Sequence, residues 1–269
     1  MWWWKFYLLS FLVILSIEIL LSFIVPTTLP FTVLELTLAF LGWYLLSPYL
    51  MIIAFRLRPT KDENLIRLAT YSSALLGVKA VKIYEIRANY LNALAFGNLF
   101  FNAIAVTKPL VEGLNDREIV AVLSHEFAHI KNKDTEIQML YILGINLAYI
   151  VTSFYLFPAS LLVLLLGILS MFFLHRKLEK RADITAARIA PWIAEYLSYA
   201  LIKIAYLSHT VPTSMLKYFP EFQLFFIKQS LLGSREKEGF FSTHPSLSER
   251  LRYLEELANT YSNKSPSPS

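Results

Sequence analysis

Apolar residues fall along the chain in four long runs, grouped as two pairs. The first run, Phe6 to Val25, is interrupted only by Glu18 and a few mildly polar positions, and the second, Phe31 to Phe55, follows the uncharged turn Pro26-Thr27-Thr28-Leu29-Pro30. Each is long enough, at roughly 1.5 Å per helical residue, to cross a hydrocarbon core of about 30 Å. A cleaved signal peptide does not fit the first run, which is too long, lacks a small-residue cleavage site and is followed almost at once by the second. The pair predicts a helical hairpin. Runs from Ile137 to Phe157 and from Ala159 to Leu174, joined at Pro158, predict another hairpin. Its last run is short for a span, so a buried or re-entrant hairpin is the alternative there.

Between the hairpins the pattern changes. Thr60 with Glu63 predicts a capped helix running to about Leu76 and ended by Gly77. Val81 to Tyr90, Leu91 to Phe96 and Asn102 to Lys108 predict three short strands in a small antiparallel sheet. Asn115 with Glu118 signals a further helix, whose Ile119, Val122, Leu123, Phe127 and Ile130 recur at helical spacing and pack it along one side. After the second hairpin the helix should continue to Pro191. Residues 192–232 read as core and membrane-surface helices, Ser246 with Glu249 caps a last helix to about Leu257, and the tail is too polar and Pro-rich to fold. The expected organisation is a transmembrane hairpin at 1–58, a first catalytic part at 59–136, a second hairpin at 137–175, a second catalytic part at 176–261 and a tail at 262–269.

Composition strengthens the membrane reading. The chain is 56% hydrophobic and 17% charged, against about 45–50% and about 25% for an ordinary soluble domain. Its net charge of +5 resides in Lys and Arg beside the apolar runs: Lys5, Arg56, Arg58 and Lys61 flank the first pair, and Lys131, Lys133, Arg176, Lys177, Lys180 and Arg181 the second. The turns within the pairs carry none. This bias predicts a multi-pass protein of the cell membrane, with both termini and the catalytic domain cytoplasmic. It is not a nucleic-acid footprint, so no nucleic-acid partner is expected. Glu18 and Glu35 are ionisable groups within spans and read as structural. There is no cysteine, which excludes disulfides, thiolate ligands and a Cys nucleophile, so any metal must be held by His and carboxylates.

The candidate chemistry lies in VLSHEFAHIKNKD, Val122 to Asp134. His125 and His129, four apart on a helix, project from one face and can grip one zinc ion, while Glu126 reaches a water on it. A catalytic zinc takes a third protein ligand, here His, Asp or Glu. Glu179 and Asp183 share one face of the helix after the second hairpin, where the small Ala182 and Ala186 would let it pack close. Glu179 as ligand, with Asp183 orienting a ligating His, uses both residues; an ordinary i,i+4 pair on a solvated face is the alternative. His175 and His209 read as structural.

HEFAHIKNKD, an apolar hairpin and then EKRAD resemble the HtpX-type membrane zinc metallopeptidases, relatives of the CAAX prenyl endopeptidases. The resemblance extends to Asn92-Ala93-Leu94-Ala95-Phe96-Gly97, similar to that family's NAFATG-type strand, and to His244-Pro245 with Arg250, similar to its HP-x4-R element; it covers about residues 5 to 255. It implies a mainly α membrane protein of about four transmembrane helices, with a cytoplasmic zincin-like α+β catalytic domain carrying a small antiparallel sheet. It further implies one Zn2+ per subunit held by His125, His129 and Glu179, Glu126 as general base, and Asn92, Ala93, Leu94, Ala95 and Phe96 as an edge strand to which an extended substrate adds its backbone. Asp183 would orient a ligating histidine, and His244 and Arg250 would lie near the cleft, His244 placed to help stabilise an oxyanion. Leu94 and Phe96 depart from the Phe and Thr usual in the family, and His175 replaces a small residue. Because Ile137 begins a span eight residues after His129, the site must lie within a few helical turns of the lipid bilayer. Membrane-protein or unfolded polypeptide substrates, in quality control, are the expected targets. A CAAX-type processing peptidase and a catalytically silent membrane chaperone are the alternatives, the latter disfavoured by an intact HExxH with Glu179 and Asp183.

Overall fold

The computed structural model describes residues 3–24, 26, 28–207 and 247–262. Helices α1 (Trp3–Ser22) and α2 (Leu29–Phe55) pack against each other, as do α6 (Asp134–Tyr155) and α7 (Phe157–Ala187). Each of the four contains an apolar stretch long enough to cross a membrane. At about 1.5 Å per residue α6 measures roughly 33 Å, and the apolar part of α7, Phe157 to Leu174, roughly 27 Å, close to the thickness of a hydrocarbon core. In both, only 6% of the apolar stretch is buried, which does not fit the buried alternative for this pair. The break between them falls at Leu156, with Pro158 in the first turn of α7, where its missing N–H costs nothing. As expected, α7 runs far beyond its apolar part, and its last three turns carry Glu179 and Asp183.

The remaining elements are β1 (Arg58–Pro59), α3 (Glu63–Leu76), β2 (Lys82–Ile86), β3 (Ala93–Gly97), β4 (Asn102–Thr107), α4 (Lys108–Gly113), α5 (Asp116–Asn132), α8 (Pro191–Leu207) and α9 (Leu247–Ser262). Helix α3 ends at Gly77, which takes φ 64°. Its N-cap is Asp62, whose side chain accepts from Leu65 N at 3.1 Å, and not Thr60. The Thr60 hydroxyl accepts from Asp62 N and donates to Glu85.

The sheet has the order β1-β2-β4-β3. β3 and β4 form the expected antiparallel hairpin, but β2 pairs with β4 in parallel, so the sheet is mixed and not antiparallel. The reason is visible in β4, where Ala103, Ile104, Ala105 and Val106 are all at most 1% exposed. A strand with no polar face belongs in the centre, covered on both sides, and that placement sends β3 to the edge. Gly97 closes the hairpin: a Cβ there would lie 2.3 Å from the Phe101 carbonyl oxygen.

Each face of the sheet has its own core. Tyr84, Leu94, Phe96, Ala103 and Ala105 pack with Met51, Ala54 and Phe55 at the end of α2. On the other face Ile83, Ile104 and Val106 meet α3, α5, α8 and α9 through Leu65, Phe127, Ile193 and Leu254. The metal-binding candidate helix α5 starts in the capping box expected from Asn115 and Glu118 and ends at Lys133, whose φ of 55° turns the chain directly into α6. Helix α9 starts at Leu247 and reaches Ser262, beyond the expected Leu257. The expectations for His209, His244, Ser246, residues 208–232 and the tail 263–269 fall outside the described residues.

Candidate metal centre

The tertiary packing of α5 against α7 makes the site. Ala121 and Ala128 on α5, and Ala182 and Ala186 on α7, are fully buried, small side chains that suit close packing of the two helices. On the α5 side of this contact His125 Nε2 and His129 Nε2 lie 3.1 Å apart. Glu179 reaches in from α7, its Oε1 3.3 Å from His129 Nε2 and its Oε2 3.7 Å from His125 Nε2. The three donor atoms all fall within 4.8 Å of one another.

Two imidazole nitrogens and a carboxylate oxygen make a donor set suited to a borderline divalent cation. The outer ring nitrogens fit the same purpose. His129 Nδ1 is hydrogen-bonded to Asp134 Oδ2 at 2.7 Å, and His125 Nδ1 lies 2.7 Å from Asp183 Oδ1, close but out of line for a hydrogen bond. Carboxylates behind ligating histidines fix the ring orientation and turn the inner nitrogen toward a metal. Asp183 is itself fully buried and is gripped by Arg250, whose Nε and Nη2 donate at 2.9 and 2.7 Å, and by the Tyr253 hydroxyl. Arg250 Nη1 also stands 4.0 Å from Glu179 Oε2.

These neighbours set the protonation states. Burial disfavours charge on His129, but the hydrogen bonds to Asp134 and Glu179 outweigh it and raise its pKa well above the ordinary value. Burial likewise opposes charge on Arg250, yet Asp183 and Glu179 keep the guanidinium firmly protonated. The Tyr253 hydroxyl is pushed up by burial and by the adjacent Asp183 charge, which leaves it a donor.

Glu126 sits beside His125 with its Oε2 accepting from Ala95 N at 2.6 Å. At the two ends of β3, Thr107 N donates to Asn92 O at 2.9 Å and Asn98 N donates to Phe101 O at 2.7 Å. By the two-residue alternation of an antiparallel pair, Ala93, Ala95 and Gly97 therefore present their backbone groups on the open edge. That edge faces the metal-binding candidates. Leu94 and Phe96 instead bury their side chains against α2, and the backbone of Asn92, one residue before the strand, is taken up by Thr107.

A cavity of about 520 Å³ opens over these groups, walled by β3 and by residues of α1, α2, α6, α7 and α8. His175 lines it, one turn before Glu179, with Nε2 3.7 Å from Glu179 Oε1 and Nδ1 3.5 Å from Gln138 Nε2. Two further residues were not singled out from the sequence. Asp134 could have been found as a carboxylate five residues after His129 at the start of a span, and Tyr253 as a hydroxyl one turn after Arg250.

The comparisons with known proteins agree with this geometry. The model of peptidase family M48 matches residues 59–258. The chain is 32% identical over 224 residues to the protease HtpX homolog of Moorella thermoacetica, covering 74% of this chain and 73% of that one. It is 28% identical over 255 residues to the protease HtpX homolog of Thermoplasma volcanium, covering 85% and 82%. Among solved structures, the crystal structure of S. mikatae Ste24p shares the fold with a TM-score of 0.61 at 19% identity; the match covers 90% of this chain but only 62% of Ste24p. The M48 match spans both sides of the second hairpin and takes in the HExxH helix, Glu179 and Arg250: the chain belongs to peptidase family M48 and is an HtpX-like membrane metallopeptidase.

Proposed function

We propose that the protein is a zinc-dependent endopeptidase of the cell membrane, cutting membrane proteins and unfolded polypeptides at the cytoplasmic face in quality control. The convergence of His125, His129 and Glu179 beneath the open edge of β3 carries this reading. Those three residues would hold one zinc ion, which when bound supplies a Lewis acid and a water acidic enough to ionise near neutral pH. Asp134 and Asp183 keep the two rings turned inward, and Arg250 and Tyr253 hold Asp183 in place.

An extended substrate laid along β3 takes the outward backbone groups of Ala93 and Ala95 as its hydrogen-bond partners. That pairing orients the peptide across Glu126, which accepts a proton from the attacking water and returns it to the leaving amine. His244 is assigned to the oxyanion through the likeness of its His-Pro element alone. The basic flanks of the spans support the cytoplasmic placement, and residues 59–136 and 176–261 are read as two parts of one catalytic domain.

The test is cleavage of an unfolded membrane protein by the full chain in proteoliposomes, alongside metal analysis. Cleavage that follows zinc content through chelation and restoration is expected. A fully zinc-loaded protein that leaves internal peptide bonds intact would overturn the reading. Release of only a C-terminal tripeptide from a prenylated peptide would replace it with a CAAX-type activity.

A further inference from the structure

The connection between β3 and β4, Asn98-Leu99-Phe100-Phe101, takes no part in the chemistry above, yet it is built with care. Pro48 inside α2 has no N–H to offer the carbonyl of Tyr44 four residues back. The Ser47 hydroxyl donates to that carbonyl at 2.9 Å, and the Asn98 amide donates to the neighbouring Leu45 carbonyl at 2.9 Å. Asn98 is only 2% exposed, and its own side-chain oxygen accepts from Phe100 N and Phe101 N at 2.9 and 3.0 Å. One side chain thus folds the hairpin tip and fastens it to α2. The Tyr44 hydroxyl makes a second fastening, accepting from Leu99 N at 2.9 Å and donating to Glu136 Oε1 at 3.2 Å.

The fastening decides which way the tip faces. The Phe101 ring turns toward Tyr49 of α2, with centroids 5.8 Å apart, while Leu99 and Phe100 turn outward and are 61% and 84% exposed. They do so beside a lipid-type surface, since Leu41, Leu45, Leu46 and Tyr49 on α2 are also exposed. The level is fixed by Glu136, the last charge before the apolar run of α6 begins at Ile137. Large apolar side chains held outward by a buried amide, continuous with the bare face of a span, mark a surface that is covered in use. The level and the continuity with α2 argue for hydrocarbon as that cover.

We propose that Leu99 and Phe100 form a membrane wedge that seats in the boundary between headgroups and acyl chains and so holds the edge strand β3 at the bilayer surface. The proposal rests on α2 being a membrane span and is independent of the catalytic assignment. An interfacial position suits an aromatic and a leucine on a rigid turn, which lose little freedom on entering lipid.

Because the chain has no cysteine, Phe100→Cys, Leu38→Cys on the exposed face of α2 and Tyr71→Cys on the exposed face of α3 can each carry a single nitroxide in the full-length protein. With the protein in phosphatidylcholine and phosphatidylglycerol vesicles, collisions of the label with oxygen and with a water-soluble nickel chelate are compared. The oxygen-to-nickel ratio at Phe100 should exceed that at Tyr71 severalfold and lie below that at Leu38. A ratio at Phe100 equal to that at Tyr71 would overturn the wedge, and so would a label shielded from both quenchers, which would mean a protein contact. A water-exposed label at Leu38 would remove α2 from the membrane, and the proposal with it.

Discussion

The backbone N–H of Ala95 donates to Glu126 Oε2 across 2.6 Å, so the carboxylate proposed as proton acceptor and the open strand edge touch before any substrate arrives. On the proposed reading a substrate strand on β3 would compete for that N–H and, on winning it, would free the carboxylate oxygen to face the attacking water. Binding of an extended peptide and release of the base would then be one event.

Replacing Glu126 with Gln keeps the size and the contact region of the side chain but removes its basicity. Cleavage should fall by about 100-fold to 10,000-fold, the usual range for a lost general base, while metal content by mass spectrometry and thermal unfolding stay close to wild type. Undiminished cleavage would remove Glu126 from the chemistry.

Ala95→Pro deletes the N–H at the open edge; no ladder bond is lost, but the resting hydrogen bond to Glu126 is removed with it. One hydrogen bond of about 1.4 kcal/mol corresponds to a factor of about ten, so kcat/KM for an extended peptide should drop by roughly tenfold with metal content unchanged. A steady-state comparison of peptides of increasing length would show the loss only in those long enough to pair with β3.

Arg250 and Asp183 form a buried ion pair, 4% and 0% exposed. Arg250→Leu strands the Asp183 carboxylate, which should cost about 3–5 kcal/mol of stability and loosen His125, weakening metal binding by about 10-fold to 100-fold. Arg250→Lys should restore only part of both, because an ammonium cannot donate in the paired geometry of the guanidinium. Chemical unfolding and competition with a metal chelator read the two effects separately.

His129 carries a raised pKa in the folded, metal-free chain. Its protonated form therefore stabilises that fold fully below the unfolded value of about 6.5, and the contribution is lost as pH rises through the elevated folded value. The metal-free protein should lose stability between about pH 6.5 and higher pH, and His129→Gln should flatten that loss. Metal must displace the proton, so apparent affinity should fall about tenfold per pH unit below the folded pKa. Thermal melts and chelator competition across pH would check both.

Much of this arrangement was legible in the chain. The four apolar runs, the capping box at Asn115 and Glu118, and the i,i+4 pairs His125/His129 and Glu179/Asp183 are local patterns with fixed geometric consequences. What escaped was non-local or conditional. The parallel pairing of β2 with β4 depends on which strand takes the centre, and three short apolar strands do not advertise their order. The choice of Asp62 over Thr60 as a cap depends on Glu85, which lies on the neighbouring strand and draws the Thr60 hydroxyl away. Asp134 and Tyr253 reach the site only because α6 and α9 pack where they do, and no spacing rule links them to HExxH. The part of α2 beyond Pro48 looked like plain span, yet Met51 and Phe55 belong to the core beneath the sheet.

Lys133 is a single left-handed residue between α5 and α6, and it leaves no slack between His129 and the apolar helix that follows. With α7 bringing Glu179 back down the same hairpin, both halves of the metal centre are rigidly coupled to one pair of spans. On the proposed reading this coupling would fix the height of the centre relative to the spans and make it a depth gauge, so that the peptide bonds of a substrate presented at that height would be the ones open to cutting.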